Sequence, residues 1–376
     1  MNELHKNKPA SAVVGAEVRL PTNDLKDDLP FFTKRLGFRL DSIFPADDPA
    51  IAVLSGHGVC IRLERGAVEA PGTLRLLCEN PDAFADGQRE LTAPNGTKVE
   101  LVDAAPPMVM PETQHAFVVR RLQDKTPWII GRAGMHYRDL IPDRLGGSII
   151  ASHIRIPDGG PVPDMVHYHT VGFQLIFCYN GWVRLVYEDQ GPPFILGAGD
   201  CVIQPPEIRH RVLEASDDLQ VIEIGVPAEH VTTIDHDMDL PNDAVNLERE
   251  FQGQRFCHHK AAEATWAPWR LAGFEARNTG IAEATKGVAG VEVAKFKDNG
   301  AQPPVTSHST DILFSFVMGG TMTLEGEGLE PHDLTAGDAF VIPPGMKTAY
   351  RNCSNDLELL EASLPGVVDT RVHAQL

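Results

Sequence analysis

Three histidines carry the clearest chemical signal in the chain. His167 and His169, in the run HYHTVGFQ, lie two residues apart, so on an extended strand both imidazoles project from one face. Gln174 follows five residues after His169, and His210 ends the run GDCVIQPPEIRH. Two imidazoles from one strand and a third from a neighbour can hold one side of a divalent ion and leave other positions open, and imidazole nitrogen accepts Zn, Fe, Ni, Cu or Mn. Open positions are what chemistry needs. The competing explanation of any HxH pair is a solvated strand, but Gly160 ahead of it at loop spacing and the Gly-Asp to Pro-Pro strand behind it argue for a built site. His153, in SIIASHIRI, is a candidate acid/base or supporting group on a strand that could face the same cavity, and Gln204 could face it too. Tyr168, between the two histidines, should point away and pack. Phe173, Phe177 and Trp182 read as core or interface.

The elements that must position these residues occur twice. His169 and His308 lie 139 apart (308 − 169), and the same shift superimposes Phe117 on Phe256, Arg138 on Arg277, Phe177 on Phe316 and Gly181 on Gly320. One deletion then makes the shift 138: LGAGDCVIQPPEIRH falls on LTAGDAFVIPPGMKT, and SDDLQVIEIGVP on SNDLELLEASLP. Runs such as FQLIFCYNGWVRLVYE and DILFSFVMGGTMTLEG are short, apolar or alternating, and broken by Gly, Pro, Asn or Asp; this predicts a double-layered all-β unit in each copy, at 115–230 and 254–370. At the ligand positions the second copy carries Thr306, His308, Leu313 and Thr348, so it should bind no metal. His308 there reads as a packed histidine.

These residues resemble the two motifs of the cupin superfamily. The carrying positions are Gly160, His167, His169, Gln174 and Gly181, then Gly199, Pro205 and His210. The resemblance implies two tandem double-stranded β-helix barrels, with metal ligands His167, His169 and His210 in the first. Three departures stand out. The spacer from Gly160 to His167 is one residue longer than the family pattern, and Gln174 replaces the usual Glu while Glu207 replaces the usual Gly. A neutral three-histidine set leaves the ion's charge uncompensated, which favours an anionic bidentate substrate such as an enolate, catecholate, keto acid or hydroxy acid. Gln174 either ligates weakly through its carbonyl or donates a hydrogen bond to bound oxygen or substrate; the second role is the one expected.

Residues 1–104 differ from the repeats. AEVRLPTND reads as a strand, LPFFTKRLGFRL after Asp27 and Asp28 as a short helix ending at Gly37, and DSIFP, AIAVLSG and VCIRLERG as strands, followed by a strand pair GTLRLLCEN and TKVELVD around Asn95-Gly96. This segment resembles the vicinal oxygen chelate fold, an α+β domain, in EVRLPTNDLKDDLPFFTKRLGFRL and APNGTKVELV. The resemblance would place family ligands near Glu17, Glu64 and Glu100, although its second module is cut short and an accessory or dimerising role fits better. AAPPMVMPETQ and HVTTIDHDMDLPNDAVNLERE read as linkers.

Composition narrows the function classes. With 376 residues the chain has room for two or three domains, and 33 Lys plus Arg against 52 Asp plus Glu gives a net charge of −19 that would repel nucleic acid and anionic lipid. No apolar run approaches the roughly 18 residues of a membrane span, and the opening MNELHKNKPASAVVG lacks a signal-peptide core, so a soluble cytoplasmic protein is expected. The six cysteines stand singly and read as reduced, with Cys178 and Cys201 near enough to the histidines to belong to a pocket. The mainly β architecture and the triad together predict a metal-dependent enzyme, a non-haem Fe(II) dioxygenase of a small anionic chelating substrate, an aromatic or keto/hydroxy acid or a diketone, with Zn, Ni or Mn as the other metals the ligands accept. A metal-dependent isomerase, decarboxylase or lyase and a non-catalytic small-molecule sensor are the competing readings. A homodimer is expected, since exposed strand edges are commonly paired.

Overall fold

The β-α-β-β-β order read for the N-terminal segment is present in the computed structural model, which describes residues 16–45, 49–124, 127–131, 134–297 and 302–376; the polar opening, residues 1–15, lies outside the described residues. The chain divides into two compact units between Pro107 and Met108. In the first, β1 (Val18–Thr22), α1 (Leu25–Pro30), β2 (Arg39–Phe44), β3 (Ile51–Gly56) and β4 (Val59–Arg65) form a sheet of order β1-β4-β3-β2 in which β1 runs parallel to β4. The helix starts earlier than the sequence suggests. Asp24 caps it by accepting from the Lys26 amide, while Asp28 turns inward to Thr22 and the Asn95 amide.

The second sheet of that unit corrects one expectation. β5 (Thr73–Cys78) and β7 (Lys98–Asp103) are parallel, because the short helix α2 (Pro81–Phe84) carries the chain across, and the Asn95-Gly96 turn instead joins β7 to the three-residue β6 (Glu90–Thr92). Both sheets share one core around Phe32, Leu54, Ile61, Leu63, Val99 and Leu101. Glu17 and Glu64 flank Arg62, whereas Glu100 lies on the other sheet beside Arg75. The three glutamates are therefore each engaged by an arginine, and no site forms from them among the described residues.

The second unit is mainly β and holds two tandem double-layered barrels of the same topology. In the first barrel one sheet contains Cys201–Ile203, Phe173–Asn180, Leu219–Val226 and Ile150–Ile156 in that order, and the facing sheet contains Trp182–Tyr187, His210–Ala215, His167–Thr170 and Val231–Ile234. The second barrel repeats this with Ala339–Val341, Ile312–Gly319, Glu358–Leu364 and Gly290–Phe296 against Thr321–Gly326, Thr348–Arg351, Val305–His308 and Thr370–His373. Alternation explains the unbroken apolar runs. Phe173, Leu175 and Phe177 meet Ile312, Phe314 and Phe316 between the barrels, while the alternate residues Ile176 and Cys178 point into the first barrel. Each of those buried phenyl groups contributes about 1.5–3 kcal/mol of burial.

The barrels are joined by a reciprocal exchange that the sequence does not announce. Val118–Arg120, which precedes the first barrel, pairs with Ala339–Val341 of the second, and Cys257–His259, which precedes the second, pairs with Cys201–Ile203 of the first. Arg138 donates to the Gly337 carbonyl and Arg277 to the Gly199 carbonyl, so each barrel also grips the other's Gly-Asp turn. The stretch after residue 229 is likewise more than a linker. Its β-branched run Val231–Ile234 pairs with His167–Thr170, the strand that carries two of the three histidines.

Candidate metal centre

His167 and His169 leave the same face of their strand, and His210 begins the neighbouring one, directly opposite His167 in the antiparallel register. All three rings are buried, with centroids 4.2 Å apart for His167 and His210 and 5.2 Å for each of the other pairs. One ligand atom from each lies within 4.8 Å of the others, close enough for modest ring rotations to bring all three to about 2.1 Å from one ion. Among the described residues this is the one group of three histidine, cysteine or carboxylate side chains so placed.

The outer hydrogen bonds of the rings point them at a common centre. Nδ1 of His167 is 2.8 Å from the Met165 carbonyl, Nδ1 of His210 is 3.0 Å from the Ile208 carbonyl, and Nδ1 of His169 is 2.9 Å from the Thr232 hydroxyl. A neutral ring that donates through Nδ1 keeps its lone pair on Nε2, the tautomer a metal ligand requires. Buried Asp164 stands 3.7 Å from Nδ1 of His167 and accepts from the Val212 amide. Thr232→Val should therefore weaken metal binding roughly 10-fold by freeing the His169 ring, with little change in apo melting temperature, as chelator competition and a thermal melt would show.

Gln174 tests whether the surroundings fit a metal. Its Nε2 donates to Oε1 of Glu223 at 2.6 Å, and its buried Oε1 has no partner within the protein. A buried carbonyl oxygen left without a donor is costly unless something else accepts its lone pair, and a cation beside the triad would do so. Oε1 is thus the atom of Gln174 open to a cation, while one of its two amide hydrogens goes to Glu223, which leaves the expected role as hydrogen-bond donor to oxygen or substrate to the other.

A cavity of about 80 Å³ opens at the triad, lined by His167, His210, Gln204, Tyr187, Glu223 and otherwise mainly apolar side chains. Its size selects small molecules over polymers. Gln204 reaches it as expected and donates to the Tyr187 hydroxyl at 3.0 Å, while Tyr187 stacks on His210. Tyr168 turns away and lies under the Arg209 guanidinium. His153 does not reach the cavity. Ile154 and Ile156 of its strand line that space, so His153 projects to the opposite face, between Trp128, Tyr179 and Phe316, with Nδ1 accepting from Arg138 and Nε2 donating to Gln220. Burial, and then the Arg138 charge, hold it down at about 4, so it stays neutral near pH 7. Cys178 and Cys201 are buried with thiols pushed up by desolvation, Cys178 to about 12, and neither lines the cavity.

In the second barrel Thr306 and Thr348 face each other where His167 and His210 stand in the first, and His308 is tied to the Ile342 carbonyl at 3.0 Å. Two residues that sequence reasoning missed are Thr232, whose hydroxyl bonds to His169, and Glu223, which accepts from Gln174; the acidic residue alone in the apolar run LQVIEIGV was the available signal for the second.

Residues 293–362, within the second barrel, match the family described as Cupin domain. No curated protein matches the chain by sequence. Among solved structures it is similar to a salicylate 1,2-dioxygenase from Pseudaminobacter salicylatoxidans, with 15% identity and a TM-score of 0.53 over 71% of this chain and 91% of that one. It is also similar to a mutant of Bacillus subtilis oxalate decarboxylase OxdC, with 14% identity and a TM-score of 0.51 over 70% of this chain and 81% of that one. At these identities the likeness establishes the cupin fold. No helix among the described residues is long and apolar enough to cross a membrane.

Proposed function

We propose that the chain is a metal-dependent enzyme whose first barrel holds a divalent ion, Fe(II) first among the metals that fit, and that it acts as a dioxygenase on a small chelating anion. The observation that carries this reading is the convergence of His167, His169 and His210 with each Nδ1 tied outward. Such an ion supplies Lewis acidity and, as iron, one-electron reactivity toward dioxygen. The protein's part is to hold and select. The largely apolar wall strips water from the bound anion, and Gln204 with Tyr187 offers polar contacts at the same wall. Among the described residues no Arg or Lys lines the cavity, which favours keto or hydroxy acids and diketone enolates over dicarboxylates.

A second reading uses the same ligands without dioxygen, as a decarboxylase, isomerase or lyase, and the equal likeness to a decarboxylase and a dioxygenase supports it. Glu223 would then be the proton-moving group, since His153 faces away. The experiment is elemental analysis of protein purified without added metal, followed by oxygen-electrode assays of the Fe(II)-loaded chain with small chelating acids and diketones. Stoichiometric metal and substrate-dependent oxygen uptake are expected. Turnover that persists under anaerobic conditions would move the assignment to the second reading, and absence of metal and of turnover would sink both.

A further inference from the structure

Each barrel sends one buried arginine across the seam between them, and the surroundings of the two have diverged. The shift of 139 places Arg138 on Arg277 and Arg120 on His259, and the shift of 138 places Gln220 on Glu358. At the Arg277 end the groups around the guanidinium accept. Nη1 meets Nε2 of His259 at 2.9 Å, Nη2 donates to the Gly199 carbonyl, and Glu358 lines the same cavity as Arg277, where its charge attracts the guanidinium. Burial, and then the Arg277 charge, hold His259 below its ordinary pKa, which keeps the ring neutral and able to accept.

At the Arg138 end two of those acceptors are gone. Arg120 stands in place of His259, and a guanidinium has no lone pair to offer; Gln220 stands in place of Glu358, its amide bound to His153 and Asp218. Nη2 of Arg138 keeps the Gly337 carbonyl and reaches Nδ1 of His153, but the buried Nε and Nη1 have no partner. Among the described residues neither Arg138 nor Arg120 has a carboxylate within 4.0 Å. The acidic neighbours do not distinguish the two ends: Asp338 corresponds to Asp200, each tied by two backbone amides, and Asp124 corresponds to Glu263. Arg120 for His259 adds one positive charge and Gln220 for Glu358 removes one negative charge, so this end is two charges more positive than its counterpart. Burial, with the Arg120 charge behind it, pulls Arg138 down to about 10, and the guanidinium is still charged near pH 7.

We propose that a compact monoanion, a halide or a small carboxylate, occupies the seam between Arg138 and Arg120, where it takes the part that His259 and Glu358 play at the other end. A buried cation with open N–H donors and no ion-pair partner is costly, and an anion offsets both deficits at once. Arg138 is only 1% exposed, so a compact anion is favoured over a bulky one. Arg120 lies on the strand that pairs with the second barrel and Arg138 on a strand of the first, so the bound anion ties the two barrels together.

The test is a melt of the full chain in a buffer whose anion is bulky gluconate, exchanged stepwise for chloride, bromide or acetate at constant ionic strength. A saturable rise in melting temperature is expected with at least one compact anion, roughly 3–6 °C at tenfold excess over its dissociation constant, and the anion that produces it tells halide from carboxylate. Gln220→Glu supplies the carboxylate found at the other end; it should melt in gluconate at or above wild type and lose most of the anion response. Arg120→His supplies the acceptor found there, and its response should fall likewise even if the first variant disturbs His153. Equal melting of wild type in gluconate and in every compact anion overturns the proposal and leaves water on the open donors. A wild-type response retained in both variants also overturns it, by placing the bound anion elsewhere on the chain.

Discussion

Replacing His210 by alanine is expected to remove stoichiometric metal from the purified protein and to reduce turnover by roughly 10²–10³-fold or more. Structural metal sites of four ligands are worth about 10–16 kcal/mol, so each ligand carries on the order of 3–4 kcal/mol, or 10²–10³ in affinity. The loss is not softened by a neighbour, because His210 stands opposite His167 and no other histidine, cysteine or carboxylate completes a group of three among the described residues. His210 is also buried and stacks on Tyr187, so alanine leaves a hole; His210→Asn fills more of it and should show the same metal loss with a smaller fall in melting temperature. His308→Ala in the second barrel is the control. Its ring is held by the Ile342 carbonyl across from no partner ligands, and metal content should stay at the wild-type level. Metal content of His308→Ala falling with that of His210→Ala would place the ion elsewhere.

Much of this site was legible because its determinants are local. The HxH pair fixes two rings on one face, and the duplication aligns His210 with Thr348 without any knowledge of the sheets. The substitution of Glu207 for the family glycine was legible too, and the structure gives its meaning: Glu207 has φ of +64°, its amide donates to the His169 carbonyl, and Gly345 makes the same bond to His308 at φ +82° in the second barrel. What failed were faces and partners. In SIIASHIRI apolar residues occupy both parities, because that strand is buried on both sides, so alternation could not tell that His153 looks toward the other barrel. The run VTTI sat within an acidic stretch whose charge suggested a linker, although its β-branched residues form a strand behind the ligands. The exchanged strands are only three residues long, too short for any period to register.

Arg270→Ala should be among the most destabilising single changes in the second barrel, by about 3–5 kcal/mol, because it leaves Glu361 buried without its cation. For a unit of this size that corresponds to a fall of roughly 6–15 °C in melting temperature. The side chains are 16% and 3% exposed, so solvent does little to replace the lost partner. The double variant Arg270→Met with Glu361→Gln removes both charges and should recover most of the loss, a result that separates charge from packing against Trp269, over which the guanidinium lies. The pH dependence has a definite sign. Burial pushes the Glu361 carboxyl above its ordinary 4.5 even though Arg270 pulls it down, so the folded state binds its proton more tightly than the unfolded state does and stability falls as pH rises through that range. Taking away Arg270 removes the downward pull and enlarges the effect. The melting deficit of Arg270→Ala relative to wild type should therefore be largest at alkaline pH and should shrink as the solution is acidified, because the buried carboxyl, raised above 4.5, takes up its proton before the unfolded chain does. A deficit independent of pH would show that the guanidinium serves packing, and that the carboxylate it grips carries no charge in the folded barrel.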